Sequence, residues 1–149
     1  MIEEMLRQAA PSEVVDSPDS RILLVEDHDD TRECLVFLLA HSKYQVETAS
    51  TVCDALKLMD AHPFGLFIFD SVLPDGSGVE LCRRVRKFNQ RTPIMFCSGL
   101  AYEADITNAL DAGAQAYLVK PLDLTELIEA VEKLIGKCAD GLSLEKQSA

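Results

Sequence analysis

Four short runs in this chain carry no charged or amide side chain at any position: Ile22-Leu23-Leu24-Val25, Leu66-Phe67-Ile68-Phe69, Ile94-Met95-Phe96-Cys97 and Ala116-Tyr117-Leu118-Val119. No other feature restricts the fold as much. Successive side chains of a strand point to opposite faces, so such a run is dry on both. Sheets built from two-sided apolar strands are parallel and carry helices on each side. The segments between the runs have the matching helical spacing. Leu35, Leu38 and Leu39 mark a first helix running to about His41. Val52, Ala55, Leu56 and Met59 mark a second, Leu81, Val85 and Phe88 a third, and Ile106, Ala109 and Leu110 a fourth that stops near Gly113. Leu124, Leu127, Ile128, Val131, Leu134 and Ile135 form the cleanest stripe, on a fifth. Residues 46–49 add a short second strand. Asp30 or Thr31 is expected to cap the first helix, and Asp123 with Glu126 reads as a capping box for the last. Arg83, Arg84, Arg86 and Lys87 are expected on the wet side of the third. Five strands alternating with five helices, joined by short right-handed connections, predict an α/β fold with a doubly wound five-stranded parallel sheet.

The 149 residues suit one domain. Residues 1–20, with an amphipathic pattern at 2–10 and then Pro11, Ser12, Ser17, Pro18 and Ser20, read as a flexible tail or linker. The folded domain is expected over 21–138, and 139–149 as a polar tail. A net charge of −11 disfavours direct nucleic-acid binding and docking on an anionic membrane. Five cysteines without paired spacing indicate reduced thiols and a cytoplasmic protein rather than a disulfide framework or zinc site. The N-terminal residues lack the pattern of a signal peptide, and the longest apolar run, 34–40, is too short to span a bilayer.

Each run is followed by a polar group. The first gives Glu26 and Asp27, the third strand Asp70, the fourth Ser98 and the fifth Lys120. In a doubly wound sheet the carboxyl ends of the strands share one edge, where ligands bind. Three carboxylates in one cleft repel, which raises the pKa of at least one unless a cation intervenes. Oxygen ligands without His or Cys select a hard ion such as Mg²⁺. Lys120 supplies a second positive charge and Ser98 a short hydroxyl. A metal, an ammonium and a hydroxyl around a carboxylate are the parts of phosphoryl transfer, with Asp70 as the nucleophile that accepts the group. Asp29 and Asp30 read as first-turn helix charges, Asp75 as a turn residue and His28 as a surface residue.

The stretch 22–30, the segment Asp70-x-x-x-Pro74-x-x-Ser77-Gly78, Ser98-Gly99 and Lys120-Pro121 together resemble the receiver domain of two-component response regulators, across about residues 21–137. The resemblance implies a flavodoxin-like (βα)5 fold, strand order 2-1-3-4-5. It implies that Asp70 is the phosphorylation site and that Asp27 ligates Mg²⁺ directly. Glu26 would reach the ion through water, and Asp70 and the Val72 backbone carbonyl would complete the set. Ser98 would be the switch hydroxyl, Tyr117 the aromatic that moves with it, and Lys120 the phosphate-binding lysine. Pro121 would follow a cis peptide. The donor would be a histidine kinase or histidine phosphotransfer protein. The output would be a downstream protein target, read through the face of helix 4, strand 5 and helix 5, on a monomer or weak homodimer. Such a domain is a phosphoacceptor that promotes its own phosphorylation and dephosphorylation, not an enzyme acting on an outside substrate. With about a dozen residues after Lys137, a stand-alone receiver and a fragment of a larger regulator or hybrid kinase are both expected forms. Val72 and Leu100 are apolar where fast-hydrolysing members are often polar, which implies slow autodephosphorylation.

Rival readings are a phosphorylation-independent interaction module of the same fold and an aspartate-nucleophile phosphatase of the haloacid dehalogenase type. The intact acidic cluster with Lys120 argues against the first. Val72 argues against the second, because that position would hold a second acid. Flavin binding fits poorly with the acidic first loop.

Overall fold

The computed structural model describes residues 17–139. The four apolar runs and the short second strand become β1 (Arg21–Val25), β2 (Gln45–Ala49), β3 (Leu66–Phe69), β4 (Ile94–Ser98) and β5 (Ala116–Val119). They form one sheet in the order β2-β1-β3-β4-β5 with every neighbouring pair parallel. The helices are α1 (Asp29–His41), α2 (Val52–Ala61), α3 (Gly78–Phe88), α4 (Glu103–Ala112) and α5 (Leu124–Ala139). This is the expected doubly wound, flavodoxin-like sheet. A two-residue antiparallel ladder, Val72–Leu73 against Gly76–Ser77, bridges β3 and α3. The amphipathic pattern at 2–10 and all but the first residue of the 139–149 tail lie outside the described residues.

The two-sided apolar runs divide by parity. Leu23, Val25, Phe67, Phe69, Ile94 and Phe96 pack with Val52 and Ala55 of α2, Leu81, Cys82 and Val85 of α3 and Ala109 of α4. Ile22, Leu24, Leu66, Ile68, Met95 and Cys97 pack with Leu35 and Leu39 of α1 and Leu127, Val131 and Leu134 of α5. Full burial of one such side chain is worth about 1.5–3 kcal/mol, so a polar residue in either set would cost one layer its closure.

Three local expectations are corrected. Helix α1 opens at Asp29 with His28 in the N-cap position, and neither Asp30 nor Thr31 caps it. The Thr31 hydroxyl pairs with His28 Nδ1 at 3.4 Å instead. The chain is already fixed upstream, because His28 N donates to the Glu26 carboxylate and Arg32 reaches back to the Glu26 carbonyl. Phe88, the last residue of α3, is 61 % exposed rather than part of the core stripe, and Leu110 of α4 and Leu124 of α5 are exposed as well.

Arg86 is not a solvated charge. Its guanidinium donates to the Gly113 carbonyl from Nε and Nη2, to the Asn89 and Thr92 carbonyls from Nη1, and to Gln115 Oε1 from Nη2. That clamp joins the end of α3 to the end of α4. Gly113 closes α4 at φ 120°, and a Cβ there would lie 2.7 Å from Arg86 Cγ, so both the left-handed turn and the clamp demand glycine. The expectation for Asp75 holds, and that for the Asp123–Glu126 capping box holds for one of its two arms. Glu126 N donates to Asp123 Oδ1 at 3.0 Å. Asp75 sits in the turn, where its carboxylate also accepts from Val52 N at 2.7 Å and Cys53 N at 3.0 Å, capping α2.

Candidate functional site

The parallel register brings the site residues to one edge. Val25 pairs with Phe69, Phe69 with Phe96, Phe96 with Tyr117 and Ser98 with Val119. The ladder continues one residue further at three points. Glu26 N donates to the Ala49 carbonyl, Asp70 N to the Val25 carbonyl and Lys120 N to the Ser98 carbonyl, at 2.8–3.0 Å. The backbones of Glu26, Asp70 and Lys120 are therefore held by the sheet, while their side chains lie beyond it.

Lys120 Nζ donates to Glu26 Oε1 at 2.7 Å and to Asp70 Oδ2 at 3.5 Å. Glu26 is 1 % exposed. Burial pushes its pKa up and the Asp70 carboxylate adds to this, with the Lys120 hydrogen bond opposing. Burial works against the Lys120 ammonium, but the two carboxylates outweigh it and hold its pKa above the ordinary lysine value. Ligand atoms of Glu26, Asp27 and Asp70 all lie within 4.8 Å of one another. Asp27 is exposed and accepts no hydrogen bond from the described residues. Three carboxylates faced by one ammonium leave a formal excess of two negative charges, with oxygen as the only donor type. That suits a hard divalent cation in both charge and chemistry.

Asp70 Oδ1 accepts from Ser71 N at 2.7 Å. Gly78, the first residue of α3, donates from its backbone to the Ser71 carbonyl. A Cβ at Gly78 would lie 2.1 Å from the Asp70 carbonyl oxygen and 2.9 Å from the Phe96 ring. Only glycine lets α3 begin against the Asp70 backbone. The Lys120–Pro121 peptide is cis, as the resemblance implies.

Ser98 is buried, and its Oγ accepts from Leu100 N at 3.1 Å rather than bonding Asp70 directly. Tyr117 lies flat on Phe96, with centroids 5.7 Å apart and planes within 6°. Its hydroxyl donates to the Leu100 carbonyl at 2.6 Å. Leu100 thus joins Ser98 to Tyr117 through its own backbone. Val72 and Leu100 are 59 % and 40 % exposed.

Sequence reasoning missed two residues here. Ser71 is 6 % exposed, and its hydroxyl lies 3.3 Å from the Tyr117 hydroxyl, 46 positions away. Arg32 anchors the loop after β1 through the Glu26 carbonyl and an ion pair with Asp29. The Arg32–Asp29 spacing of three on one helix was a readable signal. Nothing in the sequence marks Ser71, whose partner is chosen by the packing of Tyr117.

A doubly wound sheet with an oxygen-only acidic cluster and a lysine at its carboxyl edge defines a receiver-type α/β protein. The family described as "response regulator receiver domain" matches residues 22–132, and the chain belongs to that family. Response regulator ArlR of Staphylococcus aureus is 34 % identical over 116 residues, which are 78 % of this chain and 52 % of that protein. The chain spans about half the length of the curated relatives it matches. A CheY-like receiver domain protein of Methanospirillum hungatei superposes with a TM-score of 0.78 at 29 % identity, covering 81 % of this chain and 97 % of that one. The receiver domain of a sensor histidine kinase of Pseudomonas aeruginosa, solved with a magnesium ion coordinated in its active site cleft, gives 0.73 at 28 % identity, covering 78 % and 97 %. No described helix is long and apolar enough to cross a membrane.

Proposed function

We propose that this chain is the phosphoacceptor switch of a two-component phosphorelay and that Asp70 is the residue modified. The observation that carries this is the placement of Asp70 at a strand end, 13 % exposed, with Lys120 Nζ 3.5 Å from its free carboxylate oxygen and two further carboxylates alongside. A carboxylate oxygen of Asp70 attacks the phosphorus of a phosphohistidine on a histidine kinase or phosphotransfer protein. The P–N bond breaks, its electron pair stays on the imidazole, and an acyl phosphate forms on Asp70. Glu26, Asp27, Asp70 and the Val72 carbonyl would hold Mg²⁺, which supplies charge neutralisation for the phosphoryl oxygens. Lys120 turns from its carboxylate partners to a phosphoryl oxygen. The domain assists a reaction on itself and is not an enzyme with an outside substrate.

The new group brings roughly −1.5 to −2 charges. Ser98 can leave Leu100 N to donate to a phosphoryl oxygen, and the loop that Leu100 shares with Tyr117 then changes shape. The readout is the face of α4, β5 and α5, to which a downstream protein binds. An apolar groove of about 340 Å³ beside Lys120, between α1 and the β5–α5 loop, supports docking of the donor next to the site. Exposed thiols at Cys34 and Cys53 support a reducing, cytoplasmic setting. Residues 21–138 would form the receiver unit, acting as a monomer or weak homodimer. Apolar Val72 and Leu100 at the mouth hinder the attacking water, giving a long-lived phosphoryl group.

Incubation with acetyl phosphate and Mg²⁺, followed by intact-mass measurement, should show one phosphoryl adduct. Asp70→Asn and chelation should each abolish it. A persistent adduct on Asp70→Asn, or none on the wild type, refutes the assignment and favours the phosphorylation-independent interaction module. Val72→Asn and Leu100→Glu should each shorten the adduct's half-life. A half-life of seconds that neither shortens would refute the role given to these residues.

A further inference from the structure

Tyr117 is held by two hydroxyl contacts, only one of which runs through Ser98. Its phenol has a single proton, and that proton is donated to the Leu100 carbonyl at 2.6 Å. The 3.3 Å contact with Ser71 Oγ must therefore have the Ser71 hydroxyl as donor and the phenol oxygen as acceptor. Ser71 is itself fixed on both sides. Its N–H donates to Asp70 Oδ1 at 2.7 Å, and its carbonyl accepts from Gly78 N at 2.9 Å. At 6 % exposure its hydroxyl has little access to water as a substitute partner. The tyrosine ring lies in register with Phe96, stacked within 6° of it, so a small rotation would break the stack and the Ser71 contact together.

We propose that Ser71 is a positioning residue that pins Tyr117 over Phe96 through its hydroxyl, linking the acceptor Asp70 to the switch tyrosine by a route independent of Ser98. Two chains of contacts then converge on one phenol. One is Asp70 Oδ1, Ser71 N–H, Ser71 Oγ and Tyr117. The other is Ser98 Oγ, Leu100 N–H, the Leu100 carbonyl and Tyr117. The first needs no phosphoryl group. The unmodified chain already keeps the tyrosine in its bonded position, so part of the α4–β5–α5 surface is set before phosphorylation. Modification of Asp70 then adds an increment to a pre-populated state rather than creating it.

The proposal rests on the phosphoacceptor reading only for its consequence; the pinning itself is tested without phosphate. The full chain carries three tyrosines. Tyr44→Phe and Tyr102→Phe, with 3-fluorotyrosine incorporated, leave Tyr117 as the sole ¹⁹F label. In the metal-free, phosphate-free state this parent should give one narrow resonance. Ser71→Ala should give a second, released resonance, with the held-to-released ratio falling about fivefold, the worth of one net hydrogen bond. Ser71→Thr, which keeps the hydroxyl, should restore the parent spectrum. Near-UV circular dichroism of Ser71→Ala should confirm retained packing. An unchanged spectrum in Ser71→Ala overturns the proposal. So does failure of Ser71→Thr to rescue, which would assign the effect to packing instead of the hydroxyl. With acetyl phosphate and Mg²⁺ added, Ser71→Ala should show a larger ¹⁹F change than the parent, because without Ser71 the ring is held through Leu100 alone, whose loop changes shape when Ser98 leaves Leu100 N. Equal changes in both overturn the independent route. If intact mass shows no phosphoryl uptake by either chain, the phosphoacceptor reading fails, while the phosphate-free spectra still decide the role of Ser71.

Discussion

Replacing Lys120 with methionine removes, among the described residues, the one cation bonded to the Glu26 and Asp70 carboxylates, yet keeps most of the apolar stem. The Glu26 side chain is 2 % exposed and that of Lys120 23 %. Opposite charges 2.7 Å apart attract by about 6 kcal/mol at an effective dielectric constant of about 20. Withdrawing two ions from water costs several kcal/mol each, so most of that attraction is offset in the intact protein. Deleting one partner forfeits the attraction and leaves the other carboxylate buried. Lys120→Met should therefore lose about 3 kcal/mol of stability, the low end for a broken buried pair because Lys120 is partly exposed. Glu26→Gln alone should lose about 1 kcal/mol, since a neutral amide can still bond His28 N. In the double variant the stranded charge is gone, so the total loss should be about 2 kcal/mol instead of the additive sum of about 4. Urea unfolding of the four proteins in EDTA at pH 7, followed by circular dichroism, measures the cycle. Additivity within about 0.5 kcal/mol would show that the 2.7 Å contact is not an energetic pair and would refute the reasoning.

Gly78→Ala places a Cβ 2.1 Å from the Asp70 carbonyl oxygen, which is backbone and cannot swing away. The loss should reach about 3 kcal/mol in thermal unfolding; a neutral change would mean α3 does not abut Asp70. Asp75 accepts from two α2 amides, Val52 N and Cys53 N, and these hydrogen bonds hold its pKa below the ordinary aspartate value of 3.8. A depressed folded pKa contributes stability above the unfolded pKa and loses it as pH falls through the folded value. Asp75→Asn should accordingly be less stable than wild type at pH 7, with the gap closing below pH 3.8; a gap constant with pH contradicts the cap. Burial pushes the Cys97 thiol up to about 12, whereas Cys34 and Cys53 are exposed. Iodoacetamide at pH 8 should alkylate Cys34 and Cys53 in the native protein and spare Cys97 until urea is added, as read by peptide mapping.

The fold was largely legible because its strands are dry on both faces. A run such as Leu66-Phe67-Ile68-Phe69 has few solutions other than the interior of a parallel sheet, and its end then places Asp70 at the ligand-binding edge. The same logic brings Glu26 and Lys120, 94 positions apart, to one cleft. Periodicity misjudged Phe88, Leu110 and Leu124, because spacing marks an apolar face but not how much of it the core covers. Arg86 was misassigned because an arginine beside other basic residues on a helix looks solvated unless the carbonyls it reaches are known. Those carbonyls belong to Asn89, Thr92 and Gly113, on two separate loops.

The order of apolar runs and the residue that follows each one determined the architecture, the acidic edge and the identity of Asp70, Glu26, Asp27, Ser98 and Lys120 as its occupants. Backbone periodicity is written residue by residue, and topology converts it into a shared edge. Only the tertiary structure decided that the Ser98 hydroxyl rests on Leu100 N, that Arg86 clamps Gly113, and that the Ser71 and Tyr117 hydroxyls meet. Polar side chains carry no periodic mark of their partners. Which donor meets which acceptor is settled by close packing of the sheet and helices around them.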